Sequence, residues 1–202
     1  MRNRKRENGF TLVEVVVVIG VIAILAAVLT PYITKYLEDS KVAKARNEAQ
    51  VIGAAVAVFY KDVARWPNWV DAQASAVTYG GLYTGGTAPA ATLFSATGTG
   101  WAAIGAANWN QVDTHLITNG AVAPNHNYLT TGDLRWNGPY ATVLPLDHWG
   151  RAYIINAAQF VQAAGANVPV WVMSAGTNGT IDTPIAAATT TPTGDDVGFR
   201  IR

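Results

Sequence analysis

Residues 9–31 read G-FTLVEVVVVIGVIAILAAVLT-P, from Gly9 to Pro31, and the fold follows from that stretch. As a helix at roughly 1.5 Å per residue it covers the ~30 Å hydrocarbon core of a bilayer. It carries one charge, Glu14. Arg2, Arg4, Lys5 and Arg6 stand just before it. Val15 to Val18 is a β-branched run, a poor helix former in water. In lipid the backbone must satisfy itself internally, so helix still wins. Gly20 and Pro31 are points of weakness, because Pro31 removes a backbone donor and disfavours helix in the residue before it.

Three readings of this N-terminus compete. A cleavable secretory signal needs a short apolar run and then a small-x-small site. Ala23, Ala26 and Ala27 are small, but apolar residues continue through Leu29. A plain signal anchor leaves Glu14 unexplained. A carboxylate at mid-membrane costs ~2.5–3.5 kcal/mol on insertion scales, and one that persists generally has a function. The third reading takes the basic leader, the glycine and the glutamate together.

Composition narrows the remainder. The chain has 202 residues, 50% hydrophobic and 13% charged, enough for a membrane segment and one modest domain. The net charge is +1, but residues 1–9 hold four basic residues and Glu7. Without them 10 basic residues face 12 acidic ones, a formal −2, so there is no electrostatic case for nucleic-acid binding. There is no cysteine, so an exported domain here must be held by its core, a metal or its neighbours.

After Pro31 the pattern turns amphipathic. Val42, Ala45, Ala49, Ile52, Val56, Phe59 and Val63 recur at three- and four-residue steps. One long helix is expected from about Thr11 to Val63, closed by Arg65-Trp66-Pro67. Its first part, 10–31, is the membrane and assembly helix; 32–65 is the amphipathic half on which a domain packs. Residues 66–137 form a long insert rich in Gly, Ala, Thr, Asn and Trp, with Gly80-Gly81, Gly85-Gly86 and Gly98-Thr99-Gly100 as turns. Residues 108–119 can hold a short helix with Val112, Leu116 and Ile117 on one face. Trp69, Trp101, Trp109 and Trp136 are read chiefly as core plugs, and alternatively as a platform for a sugar or a partner. In 138–202, Tyr153-Ile154-Ile155, Val170-Trp171-Val172-Met173 and Phe199-Arg200-Ile201 have strand composition. The fold class is therefore α+β, a long helix packed on a small antiparallel sheet.

Gly9-Phe10-Thr11-Leu12-Val13-Glu14, basic residues before it and an apolar helix after it, resembles the class III signal of type IV pilins and type II secretion pseudopilins. The C-terminal blocks narrow this. Gly138-Pro139-Tyr140, the L-P-x-D-x-W-G-x-x-Y run from Leu144 to Tyr153, S-A-G-x-N-G from Ser174 to Gly179, and G-D-D-x-G-F from Gly194 to Phe199 look like the major pseudopilin of type II secretion. The insert does not match and is longer than that family's link.

The resemblance implies a set of roles. A prepilin peptidase cuts between Gly9 and Phe10, on the cytoplasmic side where a basic leader stays, and Phe10 is N-methylated. Glu14 becomes the fifth mature residue and Pro31 the twenty-second. The Glu14 carboxylate then pairs with the new amine on a neighbouring subunit; alternatively it snorkels to the interface. The subunit anchors in the inner membrane with its domain in the periplasm. It polymerises with itself and with minor pilin-like subunits on an inner-membrane assembly platform, and export follows. A surface type IV pilin, extracellular when assembled, and a membrane-anchored binding module that never polymerises are the alternatives. The family's C-terminal loops wrap calcium, which wants six to eight oxygens. Here Ser174, Asn178, Asp182, Asp195 and Asp196 are the corresponding ligands, with Asn178 where Asp is common; otherwise Asp195-Asp196 is a solvated turn and Asn178-Gly179 a tight one. Residues 186–193 would be tied down by such an ion.

No catalytic constellation is visible. His115, His126 and His148 are scattered outside any H-E-x-x-H spacing. Ser174 sits in V-M-S-A-G, not G-x-S-x-G, and Asp147-His148 belongs to the D-x-W-G turn.

Overall fold

The computed structural model describes residues 9–70, 78–120, 127–161, 168–186 and 191–202. The basic leader up to residue 8, His126 and residues 187–190 of the Ala/Thr stretch lie outside them. The chain divides into two compact units, residues 1–40 and 41–202.

In the first unit every residue from Gly9 to Leu37 is exposed, and from Leu12 onward the backbone is α-helical. This helix, α1, runs Leu12–Val63 and includes Pro31. It is long and apolar enough to cross a membrane. Thr30 and Thr34 hydroxyls donate to the carbonyls of Ala26 and Thr30, which gives acceptors near Pro31 a donor.

In the second unit the α1 residues Ala45, Ala49, Ile52, Val56, Phe59 and Val63 are buried, as their periodicity requires, together with Gly53 and Ala55. The helix ends at Val63, as expected, ahead of Pro67. Ala64 takes a left-handed conformation (φ 54°) and its N–H bonds to the carbonyl of Tyr60 at 2.8 Å, a C-terminal cap three residues earlier.

Among the described residues the sheet has five strands: β1 Gly81–Tyr83, β2 Trp109–Gln111, β3 Ile154–Ile155, β4 Trp171–Ser174 and β5 Val197–Arg200. Their order is β2-β1-β3-β4-β5. The three C-terminal strands fall where their composition places them and pair antiparallel. The expectation of a purely antiparallel sheet is corrected: β1 and β2 come from the insert and pair in parallel, so the sheet is mixed. Three-residue strands are too short to show alternation, and Gly80-Gly81 reads as a turn. In the fold Gly81 faces Trp109 across the pair, and a Cβ there would come within 2.5 Å of the indole. The glycine is present because the ring lies on it.

The described residues of the insert thus contribute to the sheet and to the core. Val112–Leu116 forms the expected short helix, α2. Trp101 is fully buried and Trp109 nearly so, and with Phe94 their rings lie near-parallel at 6.0–6.2 Å. Trp136 is half-buried, with its ring edge-on to Tyr140. These three are the core plugs that the sequence suggests; Trp69, half-buried under Arg65 at 4.8 Å, is a cation–π partner instead.

His115 of α2 is buried against Tyr128, whose hydroxyl lies 2.8 Å from Nδ1, and its Nε2 has no partner among the described residues. Tyr79 faces the ring edge-on. Burial pushes the imidazole down to about 3. In the unfolded chain it titrates near its usual ~6.5. Below that pH the unfolded state binds the extra proton, so stability is complete above about 6.5 and falls by up to about 1.4 kcal/mol per pH unit beneath it. The expected result is a Tm that declines from pH 7 to pH 5 more steeply in the wild type than in His115→Gln. Parallel profiles would rule the histidine out as the cause.

Candidate functional site

The processing region is organised at the start of α1. Thr11 N–H and Thr11 Oγ1 both donate to Glu14 Oε2, at 2.8 and 2.7 Å, and Glu14 N–H returns a bond to Thr11 Oγ1 at 3.3 Å. This is a reciprocal capping box, T-x-x-E, satisfying donors that a helix start leaves unpaired. The signal was present in the sequence: Thr11 and Glu14 stand three apart just before an apolar run. Glu14 therefore has a local role besides any role toward a neighbour. Oε2 is engaged, and Phe10, next to the Gly9 junction, is 88% exposed. Pro31 lies within the same exposed helical stretch.

The C-terminal candidates lie on two loops of the second unit, after β4 and before β5. Four of the five are brought together. Asn178 N–H donates to Asp195 Oδ2 at 2.7 Å, and Asn178 Nδ2 donates to Asp182 Oδ2 at 2.9 Å. Asp196 Oδ2 accepts from Asp182 N–H, Thr183 N–H and Thr183 Oγ1 at 2.7–2.9 Å. Gly176 (φ 57°) makes the close pass possible, because a side chain there would strike the Asp195 carbonyl. Hydroxyl and amide donors from Ser95 first, then Asn178 and Thr97, hold the Asp182 carboxyl below its usual range. Burial pushes the Asp196 carboxyl up to about 6, against the donors of Thr183 and Asp182.

Ser174 does not join them. It is fully buried, and its hydroxyl donates to Asp147 Oδ2 at 2.6 Å. Asp147, which the sequence suggests only as part of a turn, is buried and organises that turn: its Oδ1 accepts Trp149 N–H and Arg151 N–H at 3.0 and 2.8 Å. Nearby, His148 Nδ1 stands 3.6 Å from Glu48 Oε2, and Tyr153 donates to the same carboxylate oxygen at 2.6 Å.

The donor set does not fit calcium as arranged. Asn178 Oδ1, the oxygen a cation would use, accepts Thr180 N–H and Thr180 Oγ1, so the amide turns its NH2 toward Asp182. Among the described residues no three acidic or histidine side chains converge as a metal cage. The Asp196 Oδ1 oxygen is buried and has no partner among the described residues.

Residues 4–30 match the model of the prokaryotic N-terminal methylation motif. Over those residues the chain is similar to the type IV pilin and pseudopilin superfamily. The pilin-like chain is similar to fimbrial protein EcpC of Eikenella corrodens, 38% identical over 77 residues, 38% of this chain and 50% of that protein. It is 32% identical to the type II secretion system core protein G of Pseudomonas aeruginosa over 65 residues, 32% of this chain and 46% of that one. It is 36% identical to a type IV major pilin protein PilE1 of Neisseria gonorrhoeae over 62 residues, 31% of this chain and 38% of the pilin. The pilin-like chain thus spans half or less of the length of these relatives. No solved structure matches it.

Proposed function

We propose that this chain is a structural subunit of a pilus-like filament of a type II secretion system, a pseudopilin that polymerises through its N-terminal helix and so drives protein export. The observation that carries the reading is the methylation motif over residues 4–30, set on a helix whose apolar residues from Leu12 to Leu37 are all left exposed. So much uncovered apolar surface needs lipid first and other helices later. In this reading the leader stays cytoplasmic, a prepilin peptidase cuts between Gly9 and Phe10, and Phe10 is methylated. The domain lies in the periplasm, and subunits add from the inner-membrane platform together with minor pilin-like proteins.

A type IV pilin of a surface filament, serving adhesion, motility or DNA uptake, is the second reading. The similarity to a fimbrial protein and a major pilin favours it. The C-terminal motifs, shared by resemblance with the major pseudopilin, favour the first.

The test is made in cells that carry the secretion machinery and its peptidase. Mass measurement of the purified chain is expected to give an N-terminus at Phe10 bearing a methyl group, with sheared fractions lacking filaments unless the subunit is overproduced. A chain retaining residues 1–9 overturns the subunit reading in both forms. Abundant surface filaments at native levels decide for the pilus.

A further inference from the structure

We propose that the two C-terminal loops, 174–183 and 191–196, are closed without a metal ion, by a hydrogen-bond clasp in which Asn178 and the 93–101 segment of the insert stand in for a cation. Closing three aspartates together leaves negative charge that must be neutralised or solvated. A calcium ion does so with six to eight oxygens of its own coordination shell. Here several of the oxygens that such an ion would recruit, both of Asp182 and the Oδ2 atoms of Asp195 and Asp196, already accept from donors of the chain itself.

The insert supplies the first set. Thr97 Oγ1 donates to Asp182 Oδ1 at 3.1 Å. Ser95 N–H and Ser95 Oγ both donate to the Ile181 carbonyl at 3.1 Å, and Trp101 Nε1 donates to the Thr183 carbonyl at 2.8 Å. Phe94 and Ile181 form a parallel bridge, and Ile185 N–H bonds to the Thr99 carbonyl. One edge of the acidic loop is therefore stitched to the insert from Leu93 to Trp101.

The loops supply the second set. Asn178 joins both, donating from its backbone to Asp195 and from its side chain to Asp182. The amide cannot simply reverse to offer oxygen, because Thr180 holds Oδ1 by two donors. A permanent cation is also in place. Arg151 Nη1 donates to the Gly176 carbonyl at 2.7 Å, and its guanidinium lies against Gly179. That carbonyl would otherwise be available to an ion. With no cysteine in the chain, a disulfide cannot perform the closure either. The long insert and the asparagine are two departures from the family pattern, and they meet at one place: Asp182 accepts from both.

The experiment is a thermal melt of the full-length chain in detergent micelles at neutral pH, in excess chelator and in millimolar calcium. The wild-type midpoint is expected to differ by less than about 1 °C, since an ion bound only by the folded form must raise it. Asn178→Ala and the near-isosteric Thr97→Val are expected to lower the midpoint in chelator by roughly 3–8 °C and 2–4 °C. A wild-type midpoint that climbs with calcium concentration overturns the proposal. So does a pair of variants as stable as the wild type in chelator. The wild-type melt decides even where a variant fails to fold, and neither result depends on whether the chain polymerises.

Discussion

A Glu14→Val chain is expected to insert into the membrane at the wild-type level and to form no filaments. The carboxylate sits at the start of a helix whose other residues to Leu29 are uncharged, so removing it lowers the insertion cost rather than raising it. Assembly is different. In the proposed subunit, cleavage after Gly9 gives Phe10 an amine, and an anion on a neighbouring helix is its natural partner in an apolar surrounding. Removing one member of such a pair strands the other, at about 3–5 kcal/mol, or a hundredfold or more in the association constant at each contact. The capping box complicates the reading of Val alone, because that substitution also strips the acceptor from Thr11. Glu14→Gln separates the two roles. Glutamine serves in a capping box but cannot balance an amine, so it too is expected to leave filaments at least tenfold scarcer than wild type, with membrane insertion intact. Normal filament yield from Glu14→Gln would reduce Glu14 to a helix cap. Normal yield from Glu14→Val would remove its assembly role altogether. The assay is filament recovery by shearing from cells that overproduce each chain, beside the membrane-bound fraction of the same cells.

Asp147→Ala carries the largest expected loss of stability. Its carboxylate accepts two backbone N–H groups of the 147–151 turn and the hydroxyl of fully buried Ser174. The Ser174 hydroxyl, fully buried, has no water to turn to, whereas the two N–H groups lie in a part-buried turn. A buried donor left unpaired costs about 1–3 kcal/mol and each further hydrogen bond lost about 0.5–1.5, so the variant should lose about 3 kcal/mol. For a domain of this size that is a fall in Tm of roughly 6–12 °C. Asp147→Asn keeps Oδ1 as acceptor for Trp149 and Arg151 and should lose about a third as much. A melt of Asp147→Ala within 2 °C (approximately one kilocalorie's worth) of the wild type would show that the turn and Ser174 find other partners. The turn also sets Arg151, whose guanidinium reaches the Gly176 carbonyl. Losing Asp147 therefore loosens the acidic loops as well.

How much of this was legible in advance varied with the range of the interactions. The start of α1, its buried face and the three C-terminal strands were readable because each depends on neighbours a few residues away, through 3.6-residue or two-residue periodicity. The capping box is equally local, since Thr11 and Glu14 stand three residues apart. The strands of the insert were not readable. Gly81–Tyr83 and Trp109–Gln111 are three residues each and gain strand geometry only by pairing with each other and with β3. Ser174 was placed with the acidic residues on motif grounds. The fold instead turns its hydroxyl toward Asp147, 27 residues earlier in the chain, a contact that no spacing announces.

By itself the sequence determined an apolar helix with one acid at its start, a basic leader before Gly9, and an amphipathic continuation able to carry a domain. These are properties of runs and periods, and a bilayer or a core reads them directly. Only the tertiary structure decided that the insert joins the sheet, that Ser174 donates its hydroxyl to Asp147, and that Asn178 presents its NH2 and not its oxygen to Asp182. An amide and a carboxylate have the same letters in any arrangement. What each one does is set by the donors and acceptors that the fold brings within hydrogen-bond reach, such as Asp196 for Asp182, 14 positions away, and Thr97 for the same aspartate, 85 positions away.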